Sequence, residues 1–174
     1  MKFIEGGVCA AQGFAASGIH CGIRKNRDKR DLALIVSQKR AAAAAVYTQN
    51  LVKGAPLLVT KANIADGCAS AILCNSGNAN TCNADGEEVA RQMCALAAEK
   101  LDIPAADVVV ASTGVIGQRL DISPIAAGME ALVSGLSTDA LPAAEAILTT
   151  DTKVKSVAVE FSLGGKTARL GGIA

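Results

Sequence analysis

An α/β fold of layered sheets and helices is what this sequence predicts, on three observations. Short aliphatic or β-branched runs such as Leu32–Val36, Cys68–Cys74 and Val108–Val110 interleave with stretches of helical periodicity, the pattern expected when helices cover a sheet. Two of those runs, Cys68–Cys74 and Val108–Val110, are apolar on both faces and read as interior strands. The composition is 51% hydrophobic with only 2% aromatic residues, so the core must be built from small aliphatic side chains. With no internal repeat, low-complexity segment or linker, residues 1–174 are expected to form a single α/β domain.

Taken in order, Gly13–Ile23 alternates as a strand, and the mixed-sign run Arg24-Lys25-Asn26-Arg27-Asp28-Lys29-Arg30 is expected to be a solvated hairpin loop. Asp31–Ser37 returns as the next strand. Ala41–Ala45 have high helix propensity but run directly into Val46-Tyr47-Thr48-Gln49-Asn50, which leaves no length for a stable helix, so a strand is predicted there. Pro56 suits the first turn of a helix over Leu57–Ala65 that stops before Gly67. Cys68–Cys74 is a strand that opens into Asn75–Thr81. Asp85 with Glu88 three residues on is a capping-box signature, and Val89, Met93, Leu96 and Ala97 give the helix that follows an apolar face, ending near Leu101 before Asp102 and Pro104. The Val108 strand comes next. Ser123 before Pro124 is read as the cap of a helix through Val133, and Pro142 as an early residue of another that reaches Leu148. Val154–Leu163 and Lys166–Ile173, joined by Gly164-Gly165, alternate on both arms and predict a hairpin. The sequence then stops at Gly171-Gly172-Ile173-Ala174 directly after a strand, so a further element is expected to follow.

Charge and composition exclude several classes of function. Seventeen basic residues against sixteen acidic ones, and hardly any aromatic side chains, give neither the positive field nor the stacking platforms of a nucleic-acid binder. No apolar run approaches the roughly 20 residues needed to span a bilayer, and Met1–Gly7 has no signal or transit pattern, so a cytoplasmic location away from membranes is expected. Cysteines 9, 21, 68, 74, 82 and 94 are expected to be reduced and to serve mostly as small core hydrophobes. There is no CxxC pair and His20 is the only histidine, so no zinc or other metal site is expected. His20 lies in the alternating segment Gly18–Ile23 and is read as a partly buried structural residue. A histidine-based triad would rest on it alone, so acyl-transfer chemistry here calls for another base.

The chemistry is best sought at Val108–Gln118. A valine strand breaks there into Ser112-Thr113-Gly114, where the Thr113 hydroxyl and the Gly114 N–H can form a two-donor pocket for a developing oxyanion. An ordinary strand-to-loop corner has the same local sequence. Asn75-Ser76-Gly77-Asn78-Ala79-Asn80-Thr81 is similarly double: its carboxamides can bind a polar ligand or simply make turns. Glu145 and Asp151 read as capping or surface carboxylates. The dinucleotide fingerprint, the P-loop and the nucleophile elbow are all absent, which removes nucleotide binding and α/β-hydrolase chemistry as supported readings.

Four short motifs in order carry a resemblance. Arg30-Asp31-Leu32-Ala33-Leu34-Ile35, Asn75-Ser76-Gly77-Asn78-Ala79-Asn80, Ala111-Ser112-Thr113-Gly114-Val115-Ile116-Gly117 and Thr149-Thr150-Asp151-Thr152, with the closing Gly171-Gly172-Ile173-Ala174, resemble the ornithine acetyltransferase family of arginine biosynthesis through essentially the whole chain. Proteins of that family are made as a precursor that cuts itself before a threonine, which becomes the nucleophile at the N-terminus of a β chain. The resemblance implies that this chain is the α chain, incomplete without its β chain, and that the family's Lys-Gly-Ser-Gly-Met segment and cleavage point would follow Ala174. An N-terminal threonine can use its own α-amino group, with an ordinary pKa of roughly 7.7–8.0, as the base that no histidine here supplies.

The implied reaction is ping-pong: acetyl passes from N-acetylornithine to the β-chain threonine and then to glutamate, in an α2β2 assembly and without a cofactor. Acetyl-CoA serves as an additional donor in some members. Thr113 and Gly114 fall on the family's oxyanion-hole pair, and Thr152 falls on a substrate-contacting threonine. Two readings of other classes stay open from the sequence: a small-molecule-binding or regulatory module without catalysis, and a self-processing aminopeptidase of similar architecture.

Overall fold

The computed structural model describes all 174 residues. Its strands are β1 (Lys2–Ile4), β2 (Phe14–Ile19), β3 (Leu32–Ala42), β4 (Cys68–Asn75), β5 (Val108–Ser112), β6 (Ser156–Leu163) and β7 (Lys166–Ile173). The helices are α1 (Ala55–Asn63), α2 (Gly86–Leu101), α3 (Ser123–Ser134) and α4 (Leu141–Ala146). Strands β2-β3-β4-β5 form one sheet and β1-β6-β7 a second, smaller one. In the larger sheet β3 runs antiparallel to both β2 and β4, and β5 joins β4 in parallel from Ala71 opposite Val108 to Asn75 opposite Ser112. A parallel pair needs a crossover, and α2 supplies it.

Strand alternation sorts the larger sheet into two faces. Leu32, Leu34, Ala71, Leu73, Val108 and Val110 point to one side, where they bury against Val59 of α1, Met93 and Ala97 of α2, and Ile125, Met129 and Leu132 of α3. Each fully buried Leu, Ile or Met contributes on the order of 1.5–3 kcal/mol, which makes this layer the main source of stability. On the opposite face, Ala16 and Ala33 meet Ala143 and Ala146 of the short helix α4. Beyond α4 that face is open: Phe14, Ile35, Ala41–Ala45, Ile72 and Val109 line an apolar groove of about 290 Å³, and Ile72 is 41% exposed at mid-strand.

The free edge of β5 is sealed by polar side chains of α1. Thr60 Oγ1 donates to the Val110 carbonyl at 2.7 Å and accepts the Val110 N–H at 3.1 Å, while Asn63 Nδ2 donates to the Val108 carbonyl at 2.9 Å. Those groups would otherwise stand unpaired on a buried edge.

Most elements lie where the sequence predicts them, with five differences. The strand expected at Val46–Asn50 does not form, because β4 begins only at Cys68 and the ladder with β3 ends at Ala42 opposite Cys68. Val46 is accordingly 99% exposed on irregular backbone. Asp85 occupies the N-cap of α2 but makes no capping bond; its carboxylate pairs with Arg119 instead, and Glu88 accepts from Gln92. Ile122, not Ser123, is the N-cap of α3, and Asp121 Oδ1 accepts the Ser123 N–H at 2.9 Å. The basic run after β2 is not wholly solvated, since Arg24 and Arg30 are half-buried and anchored. Finally β1, which no sequence pattern predicts, pairs Lys2–Ile4 with Ala158–Glu160 of β6. No helix is long and apolar enough to cross a membrane.

Candidate active site

Because β4 and β5 are parallel neighbours in register, both release their loops at the same end of the sheet, Asn75 beside Ser112. The two loops are laced together. Thr113 N–H donates to the Asn75 carbonyl at 2.9 Å, Ala79 N–H to the Val115 carbonyl at 2.9 Å and Gly117 N–H to the Thr81 carbonyl at 3.0 Å. Asn75 Nδ2 donates to Ser112 Oγ at 2.6 Å, and its Oδ1 accepts the N–H groups of Gly77 and Asn78 at 3.2 and 3.0 Å. Asn78 reaches the Gln118 carbonyl at 3.0 Å and Asn80 the Gly86 carbonyl at 2.8 Å. All three asparagines are buried, and their carboxamides shape the loop, although Asn80 Oδ1 is buried without a hydrogen-bond partner.

Gly114 takes φ +125°, and a Cβ there would stand 2.6 Å from the Gly77 carbonyl carbon, so its backbone lies directly on the Gly77–Asn78 peptide. Gly77 is pressed from the β2 side in turn, since its own Cβ would meet Ile23 Cγ2 at 2.4 Å. Only glycine fits at both places. This close approach fixes Gly114 while leaving its N–H outside the backbone hydrogen-bond network, and Thr113 beside it is exposed. Two adjacent donors thus stand at the mouth of β5, the Gly114 N–H fixed by this packing and the exposed Thr113 hydroxyl on a backbone anchored to Asn75.

Thr152 lies on a different cavity, of about 550 Å³, lined also by His20, Arg24, Lys29, Glu145 and Asp151 but by neither Thr113 nor Gly114. Asp151 accepts the Thr149 N–H at 3.3 Å and pairs with Lys155, whose hydrogen bond, more than that of Thr149, holds its carboxyl below the usual aspartate range. Glu145 pairs with Arg30 at 3.0 Å. Both carboxylates therefore have the local structural roles expected of them. His20 Nδ1 lies 2.9 Å from the Lys29 carbonyl and 3.2 Å from Asp31 Oδ2, a structural position as expected.

The two regions are joined through Asp31 and Ser76, which lie in two of the four motifs, and through Arg24, which the sequence assigns only to a solvated basic run. Asp31 is fully buried and gathers the turn after β2, accepting the N–H groups of Cys21, Gly22 and Arg24 at 2.7, 3.2 and 2.9 Å. Arg24 then spans the site: its Nε donates to the Ser76 carbonyl at 2.8 Å and its Nη2 to the Leu148 carbonyl. Ser76 N–H returns to the Asp31 carbonyl at 3.0 Å, and Ser76 Oγ donates to the Ala146 carbonyl. The available signal was Asp31 itself, an acid at the head of the apolar run Leu32–Val36, where a buried charge needs donors. The six cysteines are free; burial, and for Cys21 also Asp31, pushes the Cys21 and Cys74 thiols up to about 12, so neither is a nucleophile near neutral pH.

A mixed α/β chain with two interlaced loops at one sheet end, glycine packed on glycine between them, is the class of protein that the fold and site define. Residues 15–174 match the ArgJ family, and the chain belongs to that family. It is 48% identical to the arginine biosynthesis bifunctional protein ArgJ of Gloeobacter violaceus over 99% of its length, and 44% identical to that of Shouchella clausii over 99%. It spans only 43% and 42% of those relatives' own lengths. Among solved structures, it is similar to arginine biosynthesis bifunctional protein ArgJ from Bacillus halodurans (TM-score 0.90, 41% identity, 99% of this chain and 92% of that one). It is likewise similar to ornithine acetyltransferase complexed with ornithine from Mycobacterium tuberculosis (TM-score 0.93, 34% identity, 99% and 93%). The family resemblance carried by the four motifs is thereby confirmed.

Proposed function

We propose that this protein is the α chain of a two-chain acetyltransferase that moves acetyl from N-acetylornithine to glutamate, with Thr113 and Gly114 as its oxyanion hole. The observation that carries the reading is the pair of unengaged donors at the mouth of β5, the Gly114 N–H fixed by the contact of Gly114 with Gly77. Donors fixed before reaction stabilise a developing alkoxide without having to reorganise, and such preorganisation is commonly the largest single catalytic term. The solved relative bound to ornithine supports the substrate class. Coverage supports the α-chain reading: the protein fills over nine-tenths of the matched solved chains but less than half of the curated relatives.

In this reading, the N-terminal threonine of a β chain attacks the acetyl carbonyl while its α-amino group takes the hydroxyl proton. The carbonyl oxygen, now an alkoxide, receives the Thr113 hydroxyl and Gly114 N–H. Ornithine leaves with the returned proton, and the acetyl-threonine ester is opened by the glutamate amine through the same oxyanion, the amine's proton passing by way of the threonine α-amino group to the departing threonine oxygen. Thr152 contacts the substrate. No cofactor takes part, the assembly is α2β2 in the cytoplasm, and acetyl-CoA is a second donor worth assaying.

The test is to express the family-length protein and sequence the N-terminus of every chain that co-elutes, then to assay N-acetylornithine with glutamate. A second chain beginning with threonine, and glutamate-dependent ornithine release, are expected. A single uncut chain, or a preparation that does not transfer acetyl to glutamate, overturns the reading.

A further inference from the structure

We propose that Arg24 is a positioning residue that holds the oxyanion donors and the Thr152 segment in one geometry; this rests on the acetyltransferase reading of the site. Arg24 is half-buried, and its Nε and Nη2 donate to backbone carbonyls of two separate segments: Ser76 in the β4 loop, and Leu148, two residues past α4 and just before Thr149–Thr152. A planar fork suits that task, because it can reach two acceptors at fixed angles where an ammonium is a single point. The base of the fork is itself fixed, since the buried carboxylate of Asp31 takes the Arg24 N–H at 2.9 Å and the Asp31 carbonyl takes the Ser76 N–H at 3.0 Å.

From Ser76 the connection to the donors is short and made of contact. The next residue, Gly77, is pressed by Ile23, the neighbour of Arg24, and Gly114 lies on the Gly77–Asn78 peptide. A shift of Ser76 therefore moves the surface on which Gly114 rests. On the other side, releasing the Leu148 carbonyl frees the segment that leads to Thr152. Arg24 touches neither donor, and although it lines the Thr152 cavity, its Nε and Nη2 are engaged with backbone, so its proposed effect is through the placement of both regions; displacements of about 1 Å at such sites cost up to roughly 100-fold in rate.

The test uses the processed two-chain enzyme and a double-mutant cycle. Arg24→Met removes the fork at similar length, and Arg24→Lys keeps the charge with one point of attachment; kcat/KM is expected to fall about 10- to 100-fold for Met and less for Lys. The decisive reading is coupling. In either Arg24 background the factor by which Thr113→Ala lowers kcat is expected to shrink at least threefold, because misplaced donors have less to lose. A purely structural role would lower the melting temperature and leave that factor unchanged, and multiplicative effects overturn the proposal. Should Arg24→Met fail to fold, the Lys variant carries the cycle. Should Thr113→Ala alone leave kcat intact, the oxyanion reading has failed, and the cycle is run between Arg24 and Thr152→Val on KM. Independence there overturns the positioning role as well.

Discussion

Thr113 illustrates how much one side chain can decide. If its hydroxyl meets the alkoxide, the interaction is stronger in the transition state than in the ground state, and its loss falls on turnover rather than affinity. Thr113→Ala is expected to lower kcat by roughly 10²–10³, about 2.7–4 kcal/mol, with KM and melting temperature near wild type. Thr113→Ser, which keeps the hydroxyl, should lose much less. Steady-state kinetics on supplied, pre-cleaved chains separates this from any effect on processing, and a wild-type kcat for the alanine variant would refute the assignment. Thr152 should behave in the opposite way. Thr152 is exposed on its cavity, so Thr152→Val leaves the fold alone and removes a hydrogen bond to a charged substrate, a loss of about 1.5–3 kcal/mol, or roughly 10- to 100-fold in KM. An unchanged KM for both N-acetylornithine and glutamate argues against substrate contact. The end of β5 at Thr113-Gly114 was legible in the sequence because a strand breaking into hydroxyl and glycine is a local pattern. Arg24 was not, because its partners Ser76 and Leu148 are distant in sequence and offer only backbone carbonyls, which every residue has.

Among the elements, the middle of the β5 edge, at Val110, is sealed by one hydroxyl of α1, that of Thr60. Thr60→Val keeps the shape and leaves both the N–H and the C=O of Val110 buried without partners, at about 1–3 kcal/mol each. A loss of about 2–6 kcal/mol in denaturant unfolding is therefore expected, and since Thr113 directly follows β5, a fall in kcat at temperatures well below the melting point should accompany it. A stability within about 0.5 kcal/mol of wild type, the scale of a neutral surface change, would show the edge to be sealed in another way. The helices and long strands were readable from periodicity, proline and glycine. The failures were of tertiary origin: Asp85 prefers Arg119, 34 positions away, to its own helix, and Val46–Asn50 lacks a partner because β4 starts too late. Local sequence contains neither fact. The strand β1 is only three residues long and exists by pairing with β6 near the other end of the chain.

For the whole molecule, titration sets a stability plateau with two limbs. Asp66, Asp121, Asp151, Glu130 and Glu160 are held below their usual range, chiefly by hydrogen bonds from Arg40, the Ser123 N–H, Lys155, Lys100 and Lys2 respectively. Their folded values lie under the unfolded ones, so the stability they give is present above roughly pH 4 and is lost as pH falls through the folded values. Burial raises the thiols of Cys9, Cys21, Cys74 and Cys94, the last three to about 12, 12 and 11. The unfolded chain releases those protons first, so stability is full below roughly pH 8.5 and falls as pH rises toward those values. Melting temperatures measured across acid, neutral and alkaline pH are expected to be flat in the middle and to drop at both ends. Replacing Cys74 with Ala should flatten the alkaline limb, and an unchanged limb would assign it elsewhere.

The open sheet face around Ile35, Ile72 and Val109 has a thermodynamic corollary. If a β chain covers that face, folding and association become one equilibrium, and the melting temperature becomes a titration curve in the concentration of the partner. If the β chain covers the groove, the stability gained should grow as RT ln(1 + [β]/Kd), about 1.4 kcal/mol for each tenfold excess over the dissociation constant. Separately prepared β chain, mixed with residues 1–174 at increasing concentration, should raise the midpoint along that logarithm. Ile72→Asp should shift the curve to higher concentration without altering its slope, whereas a midpoint indifferent to concentration would mean that the face needs no cover.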